Sequence, residues 1–84
     1  YKDALLDLDK AVSLRPDYIN ARMNRGDIYN FYYTINRSKA LEDYNKVIAL
    51  GGQHGTSVCG HKAMAQNNNF LPLVFLQLIT NTQC

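Results

Sequence analysis

A near-repetition with a period in the mid-thirties is the feature that most constrains how this chain of 84 residues can fold. The segments 24–26 (Asn-Arg-Gly) and 58–60 (Val-Cys-Gly) are 34 residues apart, and each glycine opens a short helix-like stretch. The apolar pattern of residues 4–11 recurs at residues 40–47, 36 positions further on. Such a spacing, with helical patterning inside it, indicates stacked helical hairpins.

Apolar periodicity predicts a first helix over residues 1–14 and a second over residues 18–32. In the first helix, apolar side chains recur at spacings of three and four and form one stripe, which consists of Ala4, Leu5, Leu8, Ala11 and Val12. Pro16 disfavours a helical conformation at the residue before it, so this helix should end near Leu14. Asp17 is the predicted N-cap of the second helix.

A third helix is predicted over residues 37–50, after a connection at residues 33–36. Two intrahelical ion pairs are expected on its outer face at i,i+4 spacing, namely Lys39 with Asp43 and Glu42 with Lys46. The glycines at positions 51 and 52 should end this helix as a C-cap. Thr56 or Ser57 can then cap a fourth helix that reaches roughly Asn67.

Gly26 falls in the middle of the second predicted helix. Glycine there costs about 1 kcal/mol relative to alanine, so it needs a packing reason. Close approach of a neighbouring helix is the expected reason, and Ala4 and Ala40 are the other small residues expected to let helices approach closely.

The character of the sequence changes after residue 50. The first 50 residues carry 15 charged side chains and the last 34 carry only Lys62. Residues 70–79 are apolar on every side, which fits a buried helix or a buried strand; a short fifth helix with Pro72 in its first turn is favoured. This run is about half the roughly 20 residues that span a bilayer, so no membrane span is expected.

The organisation expected from these patterns is an all-α helix-turn-helix repeat stack (an α-solenoid) of about two hairpins. The helical repeat region would cover residues 1–66, and residues 67–84 would be an apolar capping segment or tail. A net charge of +2 is too weak to indicate a nucleic-acid or membrane partner. Two cysteines do not make a disulfide framework, which favours a reducing, cytoplasmic compartment.

The chain resembles tetratricopeptide (TPR) repeats, whose 34-residue pattern is W-x2-L-G-x2-Y, then A-x3-F, then P. The central unit reads R-x2-R-G-x2-Y from Arg22, A-x3-Y from Ala40, and then Gly52. The opening half-unit has Ala4-x3-Leu8 and then Pro16. The resemblance covers residues 1–52 well, residues 53–66 weakly and residues 67–84 not at all. The interval from Gly26 to Ala40 exceeds the family spacing by two residues.

The resemblance implies a concave surface lined by the first helix of each unit, where a partner peptide or partner helix binds. Non-catalytic protein–protein recognition is therefore the expected function, with no cofactor. The predicted groove residues are Asn20, Met23, Asn24, Asp27, Asn30, Phe31 and His61. The alternative is a structural spacer or a self-assembling segment of a longer solenoid, in which residues 70–79 cover an exposed helix stripe within the chain or in a second copy.

Asn24 and the pair Cys59 and His61 each suggest a more specific site than a general binding surface. Asn24 stands where chaperone-binding TPR domains use an asparagine to hold a carboxylate, but the flanking basic residues are missing, so a generic groove asparagine is favoured. Cys59 and His61 lie about 200° apart around a helix and cannot form a nucleophile–base pair. A buried thiol and a surface imidazole are expected instead, and no convergent catalytic cluster is evident, so no enzymatic activity is expected.

Metal and nucleic-acid sites are also disfavoured. A zinc site built from His54, Cys59, His61 and Cys84 would lack the short paired spacings of such sites. The glycine-containing loop at residues 51–56 has no lysine before its threonine and follows a helix, so it is not a phosphate loop. A basic patch with nearby aromatic residues is interleaved with acidic side chains, which argues against RNA binding; it comprises Arg22, Arg25, Arg37 and Lys39.

Overall fold

The computed structural model describes residues 1–67, which form an all-α fold without a strand in that range. The four helices are α1 (Lys2–Leu14), α2 (Ile19–Phe31), α3 (Arg37–Ala49) and α4 (Val58–Asn67). All four predicted helices are present, with ends within a residue or two of those expected. The predicted fifth helix at residues 70–79 lies outside the described residues.

The helices pack in chain order as a stack of hairpins. Helix α2 packs against both α1 and α3, α3 packs against α4, and α2 also contacts α4. The core lies between α2, α3 and α4 and is centred on Tyr44, Val47 and Val58, whose side chains are fully buried. Buried apolar side chains supply most of the stability of such short helices, which are marginal in isolation.

Gly26 lies directly against α3, as expected from its cost in a helix. A Cβ atom at this position would lie 2.7 Å from Cε1 of Tyr44 and 3.3 Å from Cβ of Asp43. Ala40, on α3, is also fully buried. The small residues at positions 26 and 40 therefore allow close packing, and this prediction is confirmed.

Ala4 does not have the close-packing role predicted for it. It is exposed, because no helix in the described part of the chain packs on its side of α1. Helix α1 buries only Val12 fully, and Leu6 and Leu14 are 62% and 74% exposed. Helix α1 therefore leaves the apolar side chains of Ala4, Leu6 and Leu14 open to solvent.

Helix α1 ends before Pro16 and helix α3 ends before Gly51, as predicted, but the N-cap predicted for α2 is wrong. Gly51 adopts a left-handed conformation with φ of 80°, and its N–H donates to the carbonyl of Ile48, which confirms the glycine C-cap of α3. Asp17 is not the N-cap of α2, which is Tyr18 without a side-chain hydrogen bond. Asp17 instead lies 4.0 Å from the exposed Arg15 guanidinium.

The connection between α2 and α3 contains the two residues that exceed the TPR spacing. A 3-10 turn, Thr34–Asn36, directly precedes α3. A 3-10 turn advances the chain without adding a full α-helical turn. Helices α2 and α3 pack against each other in spite of this longer connection.

Candidate functional site

The site lies where the first turns of α4 face the second half of α2. Asp27 on α2 and His61 on α4 are 34 residues apart, which equals the repeat period that the sequence predicts. The Nδ1 atom of His61 lies 2.7 Å from Oδ1 of Asp27. The packing of α4 on α2 thus brings together two side chains that both belong to the predicted groove.

Asp27 also accepts a hydrogen bond from the buried Tyr44. The Tyr44 hydroxyl donates to Oδ1 of Asp27 at 2.6 Å. Burial, and next this hydrogen bond, raise the pKa of Tyr44 well above its ordinary value. The phenol therefore remains a neutral donor, and two donors from different helices fix the position of the Asp27 carboxylate.

His61 has a second polar partner and an aromatic neighbour. Its Nε2 atom lies 3.3 Å from Oγ of Ser57, one helical turn earlier. The ring of Phe31 meets the imidazole edge to face, with 5.4 Å between centroids. The side-chain amide of Asn30 donates to the backbone carbonyl of His61 at 3.3 Å. These contacts hold the imidazole in one orientation between α2 and α4.

The predicted groove residues divide into an exposed group and a buried group. Asn20, Asn24 and Phe31 are exposed, and Asp27 and His61 are partly exposed. Met23 is 8% exposed and packs in the core, and Asn30 is 2% exposed. Those two residues therefore do not present their side chains to solvent, unlike the other predicted groove residues.

Ser57 and Tyr44 complete the cluster, and neither was predicted to act with Asp27 and His61. The expectation that no such cluster is brought together was based on pairs within one helix, such as Cys59 with His61. Two signals in the sequence point to the arrangement: Ser57 and His61 are at i,i+4 spacing, and Asp27 and His61 are one repeat period apart. Cys59 itself is disulfide-bonded, so the predicted free thiol is wrong.

A separate cluster of charges lies between α1, α2 and α3. Asp43, 1% exposed, accepts two hydrogen bonds from Arg25, at 2.8 Å from Nε and 2.7 Å from Nη2, and a third from Arg22 at 3.3 Å. Arg25 also donates to Asp9 of α1 at 2.9 Å. The hydrogen bond to Asp43 is the largest cause that raises the pKa of Arg25, so this guanidinium stays charged.

This charge cluster corrects two sequence-based interpretations. Asp43 faces the interior and binds arginines of α2, so it is not part of an outer-face pair with Lys39. Lys39 instead lies 5.5 Å from the ring centroid of Tyr29. Arg22 and Arg25 are paired with Asp43 and Asp9 and do not form an open basic patch, which removes the main feature that resembled a nucleic-acid surface.

Among residues 1–67, no helix is long and apolar enough to cross a membrane. The same residues contain no group of three or more His, Cys, Asp or Glu side chains placed to hold a metal ion. No family model, curated protein or solved structure matches the chain. The candidate function therefore depends on the geometry of the site and on the pattern of the repeat.

Proposed function

We propose that this chain is a TPR-like protein–protein interaction scaffold that binds a partner peptide or helix along the face formed by α2 and α4. The hairpin stack supports this role, because stacked helical repeats present an extended surface lined by equivalent helices. Binding itself requires no catalytic step. The reducing, cytoplasmic compartment expected from the cysteine count is not part of this proposal, because Cys59 is disulfide-bonded and disulfides persist in oxidising environments.

The observation that carries the proposal is the open row of side chains on α2. Asn20 and Asn24 are exposed, and no side-chain hydrogen bond of either occurs among the described residues. Their amides can therefore donate to and accept from a partner backbone. Phe31 is 42% exposed at the other end of this row and offers apolar contact.

A rigid base supports this row. Asp27 and His61 are held by hydrogen bonds from α3 and to α4, while the buried Met23 and Asn30 lie behind the surface. A surface whose side chains are already ordered loses less conformational entropy when it binds. The face should therefore bind an extended or helical segment without rearrangement of α2.

The test is to select binding peptides against the immobilised chain and to measure their affinity for a double variant, Asn24→Ala with Phe31→Ala. Both side chains are exposed, so the variant should remain folded while affinity falls at least tenfold. The matched control is Asn45→Ala with Leu14→Ala, which removes the same kinds of exposed side chain outside the predicted groove. Unchanged affinity in the groove variant, or equal loss in the control, contradicts the assignment.

The second candidate is a structural spacer or self-assembling segment. The exposed apolar side chains of α1, which are Ala4, Leu6 and Leu14, favour it, because a neighbouring unit or a second copy would cover them. Light scattering over a dilution series tests it. A strict monomer at every concentration excludes self-assembly, whereas a dimer that Leu6→Glu dissociates supports it.

A further inference from the structure

We propose that Ser57, His61 and Asp27 form a nucleophilic site that is acylated by, and hydrolyses, small carboxylic esters. The three side chains are linked in series, at 3.3 Å from Ser57 Oγ to His61 Nε2 and at 2.7 Å from His61 Nδ1 to Asp27 Oδ1. This is the connectivity of a nucleophile, a general base and an orienting carboxylate. The inference goes beyond partner binding, since it assigns chemistry to a hydroxyl that the groove does not require.

The hydrogen bonds fix the tautomer that a general base needs. An ionised carboxylate only accepts hydrogen bonds, so Nδ1 of His61 must carry the proton that faces Asp27. In the neutral imidazole, Nε2 then carries the lone pair and faces the Ser57 hydroxyl. The separation of 3.3 Å is within the looser range found for catalytic pairs without substrate.

The Ser57 hydroxyl is available to His61 because the neighbouring Thr56 binds the first N–H group of α4. Thr56 Oγ1 accepts the N–H of Val58 at 3.2 Å and donates to the carbonyl of Gly52 at 2.8 Å. Ser57 is exposed, and within the described part of the chain its side-chain hydrogen bond is to His61. A serine in this position usually caps the helix, so its engagement with an imidazole is a specific feature of this site.

Asp27 acts as a positioning residue. The Tyr44 hydroxyl donates to the same carboxylate oxygen at 2.6 Å, and the Tyr44 ring is completely buried. The carboxylate therefore cannot turn away from His61 without breaking a second hydrogen bond from a fixed donor. This arrangement keeps the imidazole aligned with Ser57.

The surroundings define the substrate class. Phe31 is partly exposed beside His61 and would contact an apolar or aromatic group of the ester. The site is open to solvent, so a small activated ester can reach it. Ser57 directly precedes α4, so the positive end of the α4 dipole would stabilise the oxyanion that develops during attack.

The reaction balances with water as the only co-reactant. Ser57 Oγ bonds to the ester carbonyl carbon as its proton passes to His61 Nε2. The carbon–alkoxide bond then breaks and the leaving alcohol takes that proton. Water then attacks the acyl carbon as its proton passes to His61, the bond from that carbon to Ser57 Oγ breaks, and His61 returns the proton to Oγ. The products are the carboxylic acid, the alcohol and the free serine.

The experiment combines p-nitrophenyl acetate turnover with labelling by a fluorophosphonate, followed by identification of the labelled peptide. We expect one adduct, on Ser57, and a rate that falls roughly 10²-fold in Ser57→Ala and in His61→Gln. Ser38→Ala and His54→Gln are the controls, since both residues are exposed and outside the site, and they should keep the wild-type rate. The His54 control is necessary because free imidazoles hydrolyse this ester slowly.

Asp27→Asn supplies a readout that a purely structural role would not change. Imidazole nitrogen NMR shifts of His61 should report the Nδ1–H tautomer in the wild type and a changed tautomer population in the variant, with circular dichroism unchanged. An adduct on another residue, or Ser57→Ala with the wild-type rate, overturns the proposal. Peptide affinity is measured separately, so failure of the ester chemistry and failure of partner binding are distinguishable.

Discussion

The ring of Tyr44 occupies the space directly above Gly26, where a Cβ atom would lie 2.7 Å from Cε1 and 3.1 Å from Cδ1 of the ring. Because Tyr44 is fully buried and its hydroxyl is bound to Asp27, the ring cannot move aside easily. The contact sets the distance between α2 and α3.

Gly26→Ala should therefore destabilise the fold even though alanine is the better helix former. Overpacking costs about 1–3 kcal/mol, which outweighs a gain in helix propensity of about 1 kcal/mol or less. The matched control is Gly60→Ala in α4, where no described atom lies within 4 Å of the added Cβ and the variant should be neutral or more stable. Urea unfolding measures both, and equal stability of Gly26→Ala and wild type contradicts the packing argument.

Asp43→Asn should destabilise the chain by about 3–5 kcal/mol, because it leaves two guanidinium groups without their buried counter-charge. Asp9→Asn is the control: Asp9 binds the same Arg25 but its side chain is 51% exposed, so its loss should cost less than about 1 kcal/mol. Chemical unfolding of the two variants under one set of conditions tests the difference. A small effect at position 43 would show that the cluster contributes little to stability.

Tyr44→Phe should lower stability at neutral pH by about 1.5–3 kcal/mol, since it removes a hydrogen bond to a carboxylate while keeping the ring. It should also change the alkaline limb of the stability profile. The pKa of Tyr44 is raised in the folded state, so above pH 10.0 the unfolded phenol loses its proton while the folded one keeps it.

Above pH 10.0 the folded state of the wild type therefore binds more protons than the unfolded state. The Tyr44 phenol then lowers the free energy of unfolding by up to about 1.4 kcal/mol per pH unit. Tyr44→Phe should remove that contribution, whereas Tyr18→Phe, an exposed ring, should retain it. Unfolding midpoints measured between neutral and strongly alkaline pH give the comparison. Parallel alkaline slopes in wild type and Tyr44→Phe would contradict the prediction.

Gly51→Ala should cost about 1–2 kcal/mol, because φ of 80° places a Cβ atom too close to the backbone. Gly55→Ala is the control, since Gly55 has φ of −108° and no described atom within 4 Å of an added Cβ. Thermal unfolding distinguishes the two positions. A destabilisation at Gly55 as large as at Gly51 would mean that backbone conformation is not the cause.

The helices were predictable because their signals are local. Apolar spacing located all four, Pro16 marked the end of the first, and Gly51 the end of the third. The packing role of Gly26 was also predictable, since an unfavourable residue within a helix needs a compensating contact. The exposure of Ala4 was not predictable, because it depends on which neighbouring helix is present.

The polar contacts were harder to predict because they join helices distant in sequence. Asp43 was assigned to an exposed pair with Lys39 by i,i+4 spacing, yet its side chain points toward Arg25 of another helix. The pairing of Asp27 with His61 follows from the repeat period only when equivalent positions of successive units are compared. The TPR resemblance stays a prediction, since the fold is consistent with it and no family model matches.

Helix α1 is held mainly by the buried side chain of Val12 and by the Asp9–Arg25 ion pair. The Asp9 side chain is 51% exposed to water. Regions with few buried contacts have the lowest free energies of local opening. Helix α1 should therefore exchange its amide hydrogens earlier than α3. The reason is that Asp43 of α3 keeps its ion pairs with Arg22 and Arg25 of α2 after α1 has separated. The described part of the chain should consequently divide into a detachable α1 and a cooperative unit formed by α2, α3 and α4.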